Sequence, residues 1–277
     1  MKRWLVTVLV FGISSAVVRA DITVVQTTTV EGGMAAMAPA GTNMSPKVTL
    51  RVKGLKSRSD MEMPPTINAS SIIDIAAKQL IMLQHDQKTA QTVDTTRPAS
   101  PAAASTPTPT VTIDADAAPT GKSQVIDGLK CDEFGFTTTM SISEMMGSQL
   151  PPEAAEQMKG LTLVMKGSMW VTKGVPGAEE YIAYQKALAK TDLATAAMKV
   201  SGVSLPGLDK MMKAMSNVDG LAYLTVMDMT VHGEGQVSDM MRQMMGAMKV
   251  TTKVTSISAE KIADDLFKVP EGYTVIK

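Results

Sequence analysis

The high methionine content is the most unusual chemical feature of this sequence. The 277-residue chain contains 24 methionines, against four phenylalanines, four tyrosines and two tryptophans. Five methionines near the end of the chain recur largely at helical i, i+4 spacing, at Met240, Met241, Met244, Met245 and Met248. Thioether sulfur is a soft ligand that selects Cu(I), and the flexible side chain also adapts to varied apolar surfaces. The pattern is consistent with a soft-metal site, an adaptable apolar surface or plain core packing.

Groups that could perform catalysis are sparse. His85 and His232 are the only histidines, and Cys131 is the only cysteine. A cysteine and a histidine could in principle form a nucleophile and base pair, but their spacing along the chain does not suggest one. The sequence contains neither a glycine-rich phosphate loop nor a zinc-type cluster. We therefore expect a non-enzymatic protein that uses no cofactor.

The first twenty residues have the pattern of a secretory signal peptide. Lys2 and Arg3 precede the short apolar run from Trp4 to Ile13, and Val18-Arg19-Ala20 places small residues at the offsets of a cleavage site. The apolar run is too short for a comfortable membrane span. The sequence thus predicts cleavage near Ala20 and a periplasmic or secreted protein.

The charge of the chain limits its possible partners, and its cysteine content limits how the fold can be stabilised. The chain carries 27 basic and 27 acidic residues, and loss of the first twenty residues would leave a small acidic excess. Nucleic acid is not an expected partner, because it requires a basic surface. Cys131 is alone, so no disulfide within the chain can form. An exported chain without disulfides must be held together by packing, and we expect Cys131 to be a small buried apolar side chain.

One stretch organises the expected fold. In the segment 46–63, Val48, Leu50 and Val52 alternate with polar residues, then Gly54 and Leu55 interrupt the pattern, and a second alternating run follows. Alternation with period two is typical of a strand with one dry and one wet face. The segment therefore predicts a β-hairpin whose charged face is in water.

A change of composition divides the rest of the chain. Residues 21–94 read as the N-terminal part of a sheet, and residues 95–122 are rich in Pro, Ala, Thr and Ser with hardly any large apolar side chain. Such a stretch cannot bury enough surface to offset its ordering entropy, so we expect a disordered linker or insert. Residues 123–277 are expected to complete the same domain.

Helices are expected late in the chain. The segment from Pro176 to Met198 has helical periodicity with acidic residues in its first turn, and a second helix is expected from about Leu205 to Ser216. The remaining segments predict roughly ten antiparallel strands. The fold class is therefore α+β, a curved antiparallel half-barrel sheet with two or three helices covering one face.

Four segments of the sequence carry a family resemblance. They are VTLRVKGLKSR at 48–58, IDGLKCDEF at 126–134, MWVTKGVPG at 169–177 and FKVPEGY at 267–273. With them the chain resembles an uncharacterised family of bacterial exported domains that is similar to the LolA-like lipoprotein carriers. The resemblance implies a half-open barrel capped by helices, with an apolar cavity that accepts acyl chains.

The expected function is binding of an apolar ligand, such as an acyl chain, a lipid or a lipoprotein tail, in that cavity. Transient contact with a membrane or with envelope proteins would accompany such a role. Two alternatives remain: a Cu(I) protein that uses the five methionines from Met240 to Met248, or a structural, partner-binding envelope protein. The residues expected to line the cavity are Phe134, Phe136, Met165, Met169, Leu208, Met211, Met212, Met215, Tyr223 and Met227.

Overall fold

The computed structural model describes most of the chain after residue 20. The described residues are 21–33, 45–63, 67–94, 113–146, 152–193, 217–245 and 248–276. The expected signal peptide, the helix expected at 205–216 and residues 95–112 of the expected linker lie outside these ranges. No helix in the described part of the chain combines the length and the apolarity needed to cross a membrane.

Twelve strands of the described residues form one open, curved, mixed sheet in the order β12-β6-β5-β4-β3-β2-β1-β11-β10-β9-β8-β7. Neighbouring strands are antiparallel except β12, which runs parallel to β6. The strands are β1 Ile22–Glu31, β2 Lys47–Lys53, β3 Lys56–Met63, β4 Ile67–Asp74, β5 Gln79–Gln84, β6 Thr89–Asp94, β7 Ile113–Ile126, β8 Leu129–Ser141, β9 Thr162–Thr172, β10 Leu221–His232, β11 Met248–Ser258 and β12 Thr274–Ile276.

Short helices are inserted late in this sheet, as expected. They are α1 Ile142–Met146, α2 Pro152–Gln157, α3 Ala178–Leu188 and α4 Gln236–Met245, with a 3-10 turn at Asp264–Phe267. The fold is therefore α+β. Helix α3 covers only part of the segment 176–198 that the sequence predicts as helical, and residues 194–198 lie outside the described ranges.

The strand count and the linker need correction. The sheet has twelve strands among the described residues, not ten, because β7 has few large apolar residues and β12 is too short to show an alternating pattern. Strand β7 includes the last ten residues of the expected linker, 113–122. From residue 116 onward its side chains are mostly exposed, so pairing with β8 rather than burial defines it. Strand β12 is three residues long and owes its place to β6.

Local turn chemistry places the hairpins where the sequence predicts them. Strands β2 and β3 pair from Lys47 opposite Glu62 to Lys53 opposite Lys56, around the two-residue turn Gly54-Leu55. Gly54 has a positive φ of 58°, which glycine adopts without the penalty of a Cβ. Strands β4 and β5 form the next hairpin, with Ile72 directly opposite Ile81.

One face of the sheet is covered by helices, and we call it the helix face. Its main core joins Ile22, Val24 and Val52 with Tyr184 and Leu188 of α3. The Tyr184 hydroxyl lies 2.5 Å from the Ser57 hydroxyl, which ties α3 to β3. Burial raises the pKa of Tyr184 to about 12, so the phenol remains neutral. The helices are thus fixed to the sheet by packing and by a few buried polar contacts.

The opposite face of β2 to β6 is covered by the C-terminal segment, residues 259–276, which we call the strap. Ile262 and Phe267 of the strap pack on Ile72, Ile81 and Leu83 of the sheet. Backbone bonds support this position, since the Thr274 N–H donates to the Lys88 carbonyl. The sequence predicts a solvated charged face for the hairpin of β2 and β3, and the strap half-buries part of that face instead.

Farther along the sheet, the face opposite the helices carries a row of alternating charges. Glu31 of β1 lies opposite Lys249 of β11, Lys249 lies opposite Asp228 of β10, and Asp228 lies opposite Lys166 of β9. All four side chains are exposed. Opposite charges on directly paired residues stabilise a sheet by about 0.2–1 kcal/mol per pair. This row therefore suits a surface that faces water.

We expect replacement of Asp228 by lysine to lower the free energy of unfolding by about 1–2 kcal/mol at low ionic strength, because two favourable pairs become two repulsive ones. Urea denaturation at low and high salt would measure the effect, which should shrink as salt screens the charges. The matched control is Thr230→Lys, an exposed position on the same face that lies opposite Val164. Equal losses in the two variants, or a loss that salt does not change, would contradict this explanation.

Candidate functional site

A cleft of about 280 Å³ opens where β7, β8 and β9 lie side by side. Its floor contains the apolar side chains Phe134 and Val171, and its rim is polar and charged. The volume lies near the lower end of the range for small-molecule sites, about 300–1,000 Å³. The residues that line it are Pro119, Gly121, Lys122, Ser123, Asp132, Glu133, Phe134, Val171, Lys173 and Asp219.

The floor continues into an apolar cluster on the same strands. Met169 and Val171 are buried in it together with Val218, and Phe134 and Phe136 pack against them while remaining partly exposed. Strand register explains why these residues meet, since Phe134 lies directly opposite Met169 and Phe136 opposite Gly167. A partly exposed aromatic pair beside a cleft provides apolar area that a ligand could cover.

Gly167 allows β9 and β10 to approach closely beneath this cluster. A Cβ atom at position 167 would lie 2.1 Å from the Val226 carbonyl oxygen and 2.8 Å from the Met227 Cα atom, both of which belong to the backbone of β10. Only glycine fits without displacing that strand. The apolar cluster therefore depends on a residue that itself contributes no side chain.

The ten expected lining residues fall into four groups. Phe134, Phe136 and Met169 lie together at the cleft. Met165 and Met227 lie farther along the same face of β9 and β10 and are partly exposed. Tyr223 lies elsewhere, in the main core. The other four lie outside the described residues, namely Leu208, Met211, Met212 and Met215.

Strict alternation fails at Tyr223 of β10, which lies apart from the cleft. The register against β9 shifts between Ala222 and Leu224, so Tyr223 occupies an irregularity in the pairing. Its hydroxyl donates to Asp127 at 2.9 Å, and the Lys253 ammonium lies 2.8 Å from the same carboxylate. Hydrogen bonds from Lys253 and Tyr223 hold the pKa of Asp127 below its ordinary value. Tyr223 therefore closes the core beside the Asp127-Gly128 turn and does not line the cleft.

The charged rim of the cleft is internally paired. Asp219 accepts hydrogen bonds from Lys173 at 2.5 Å and from Lys186 at 3.0 Å, and these two ammonium groups lower the pKa of Asp219. The Glu133 carboxylate accepts from Ser168 and Thr120 and pairs with Lys122. Those two hydroxyl donors are the main cause of its lowered pKa. The rim is thus charged at neutral pH but carries little net charge.

The methionines from Met240 to Met248 do not form one continuous helix. Helix α4 ends at Met245, and Met248 is the first residue of β11. On α4 the Met240 side chain is 55% exposed, whereas Met241 packs with Met229 and other apolar side chains. Met244 and Met245 are the last two residues of α4. The five methionines are therefore split between two elements.

A half-buried polar network lies beneath the strap, and sequence reasoning did not anticipate it. Asp60 is its centre: it pairs with Arg51, and it accepts from Arg58 Nε at 2.7 Å and from Ser70 Oγ at 2.5 Å. The Ser70 hydroxyl also lies 2.6 Å from His85 Nε2, and His85 Nδ1 lies 2.5 Å from the Tyr273 hydroxyl of the strap. The Arg58 guanidinium also donates to the Leu266 carbonyl, which anchors the strap directly.

The hydroxyl of Ser70 fixes which group donates in the hydrogen bonds around it. Because Ser70 donates its only hydroxyl proton to the Asp60 carboxylate, His85 Nε2 must donate to Ser70, and Nδ1 of the neutral imidazole is then the acceptor for the Tyr273 hydroxyl. A histidine that donates to a serine is not acting as its general base. The arrangement therefore links the strap to the sheet and does not activate Ser70 as a nucleophile.

The other reactive groups have equally ordinary surroundings. Cys131 is buried, as the sequence predicts, and burial together with Asp132 and Asp127 raises the pKa of its thiol. His232 lies at the end of β10, with Nε2 3.0 Å from the Thr230 hydroxyl. Within the described ranges, no three His, Cys, Asp or Glu side chains come together in a way that could hold a metal ion.

Comparison with protein families gives a match for part of the chain. Residues 31–150 match the model of a domain family of unknown function, DUF4412. No curated protein matches the chain. The matched stretch includes strands β2 to β8, so it covers the hairpin, most of the polar network and one wall of the cleft. The sequence is thus similar over this stretch to an uncharacterised domain family.

Proposed function

We propose that this chain is an exported, non-enzymatic binding protein for an apolar ligand such as an acyl chain, a lipid or a lipoprotein tail. The observation that carries the proposal is the partly exposed Phe134 and Phe136 pair, which adjoins a cleft of about 280 Å³. The ligand would lie along this floor, across the surface of the paired strands β8 and β9. The arrangement of a curved sheet with helices over one face is also the one expected of a LolA-like carrier.

The chemistry of the cleft favours a ligand that is mainly apolar. Phe134 and Val171 offer it no hydrogen-bond partners. On the rim, Lys122 is paired with Glu133 and Lys173 with Asp219. Each buried methylene would contribute about 0.8 kcal/mol. Met169 and Met165, next along β9, supply flexible side chains that accommodate ligands of different shape.

The geometry of the reactive groups supports binding rather than catalysis. Cys131 is buried with a raised pKa, and His85 is engaged between Ser70 and Tyr273. The signal-peptide pattern of the first twenty residues supports export. A carrier of this kind would contact a membrane or envelope protein when it loads and releases its ligand.

A displacement assay would test the proposal. The purified full chain, stripped of bound lipid, would be titrated with a fluorescent fatty acid and then with dodecanoate. We expect saturable binding, and we expect Phe134→Gln to weaken it about tenfold, because tenfold corresponds to about 1.4 kcal/mol and a buried Phe contributes about 1.5–3 kcal/mol.

The matched control is Thr137→Gln, which changes an exposed residue on the other face of the same strand. It should leave the dissociation constant within twofold of the wild-type value. Thermal unfolding of both variants would confirm that they are folded. The proposal fails if the wild-type chain does not bind the probe, or if the two variants weaken binding equally.

A further inference from the structure

Three methionines lie side by side on adjacent strands of the helix face. Met165 of β9 lies directly opposite Met229 of β10, and Met229 lies directly opposite Met248 of β11. Directly paired residues have Cβ atoms about 4.5–5.5 Å apart. Met165 and Met248 are two strands apart, about 9–10 Å, and long, flexible side chains that lean toward Met229 can bring the three sulfur atoms to one point. We call this set the methionine row.

Helix α4 lies over Met229, the middle residue of the row. Met241 of α4 packs in the same apolar cluster as Met229, and Met140 and Met158 belong to that cluster as well. Met165, Met229 and Met248 are each only partly buried. Met229 is therefore shielded by the helix, and the partial exposure of all three side chains leaves the row open to a small solute.

Packing alone is a poor explanation for this choice of residues. Strands favour β-branched and aromatic side chains, and the neighbouring positions of β11 follow that rule with Val250, Thr252 and Val254. A row of three unbranched thioethers gives up that preference on three strands at once. Thioether sulfur is a soft donor, and a set of such donors selects Cu(I) over hard divalent ions.

We propose that Met165, Met229 and Met248 form a trigonal site for a soft monovalent metal ion, Cu(I) or its analogue Ag(I), with Met241 as a fourth donor from α4. The site differs from the helical methionine pattern expected at Met240 to Met248, because it draws its donors from four elements. It shares Met165 with the residues expected to hold an apolar ligand, but it does not depend on that proposal, because Met229 and Met248 are not among those residues.

The test is a titration of the reduced full chain with Cu(I) in the absence of oxygen, in competition with a chromogenic Cu(I) chelator. We expect one equivalent of Cu(I) to bind, and we expect Met229→Leu to weaken binding at least tenfold. Met165→Leu and Met248→Leu should act in the same direction. Leucine is a suitable replacement because it nearly conserves volume and apolarity. With Ag(I), the methyl NMR signals of these three methionines should shift first.

Three control variants make the test specific. Met61→Leu, on β3, and Met240→Leu, on the exposed side of α4, should leave Cu(I) affinity unchanged. Cys131→Ala should also leave it unchanged, which excludes the buried thiol as the ligand. The proposal is overturned if the wild-type chain does not compete for Cu(I), if the row variants bind as well as wild type, or if affinity is lost in a control variant instead.

Discussion

Replacing Gly167 by alanine is expected to lower the free energy of unfolding by about 3 kcal/mol, at the upper end of the usual range for overpacking. The new methyl group would overlap the Val226 carbonyl oxygen and the Met227 Cα atom, and neither can turn aside as a side-chain tip could. Strand β10 would have to move away from β9, which would separate Met169 from the residues that it contacts. Urea denaturation would measure the loss.

Gly135→Ala is the control for this substitution. Position 135 is on the neighbouring strand β8, and a Cβ atom there would lie 3.3 Å from Thr120 Cγ2, a side-chain atom on the edge strand β7. We expect its cost to be well under half that of Gly167→Ala. If Gly167→Ala unfolds at the wild-type denaturant concentration, the close approach of β9 and β10 is not a constraint on the fold.

The second large effect is expected from Asp60→Asn. The Asp60 side chain is only 18% exposed and Arg58 only 12%, so removal of the carboxylate would leave two arginines without their anion. Breaking a buried ion pair costs about 3–5 kcal/mol, and we expect about 3 kcal/mol here because the network is only half-buried. The strap should loosen first, because Arg58 also holds the Leu266 carbonyl.

The pH dependence of this effect has a definite sign. Burial raises the pKa of Asp60, but hydrogen bonds from Ser70 and Arg58 and the charges of Arg58 and Arg51 outweigh it, so the pKa lies below the ordinary value of 3.8. A lowered pKa in the folded state means that Asp60 contributes stability above its unfolded pKa, and this stability is lost as the pH falls through the folded value.

The stability difference between wild type and Asp60→Asn should therefore be largest at neutral pH and should shrink below about pH 4. Glu62→Gln, on the same strand and half-exposed in its pairing with Lys47, is the matched control and should cost less than about 1 kcal/mol. A difference that is constant from pH 7 to pH 3, or an equal cost in the control, would contradict the role given to Asp60.

Local patterns predicted the sheet well where short-range chemistry determines it. The Gly54-Leu55 and Asp127-Gly128 turns and the alternation in β2, β9 and β10 are readable because a hairpin register follows from its turn. Strand β7 is not readable from the sequence because its pairing with β8, and not its own apolar residues, defines it, and β12 has only three residues. The Pro, Ala and Thr composition of residues 95–122 predicts disorder, and it cannot show that β8 would accept residues 113–126 as a partner.

The candidate sites, too, were predictable from the sequence only where local patterns determine them. Phe134, Phe136 and Met169 could be predicted as neighbours because alternation places them on one face of two strands. The polar network could not, because it needs the strap to return 188 residues after His85 to bring Tyr273 beside it. The methionine row could not either, because the register of β9, β10 and β11 depends on elements far apart in the chain. A single irregularity in the pairing of β10 accompanies the position of Tyr223 in the main core and away from the cleft.

The most direct test of ligand binding is to locate the ligand on the chain. A fatty acid that carries a photoactivatable diazirine near the end of its chain would be bound to the lipid-free protein, irradiated and mapped by peptide mass spectrometry. We predict adducts on Leu129–Ser141 and Thr162–Thr172, the strands that supply Phe134, Phe136 and Met169, and loss of these adducts when unlabelled dodecanoate competes. Adducts confined to strands β2 to β6, or labelling that dodecanoate does not reduce, would contradict an apolar-ligand site in this cleft.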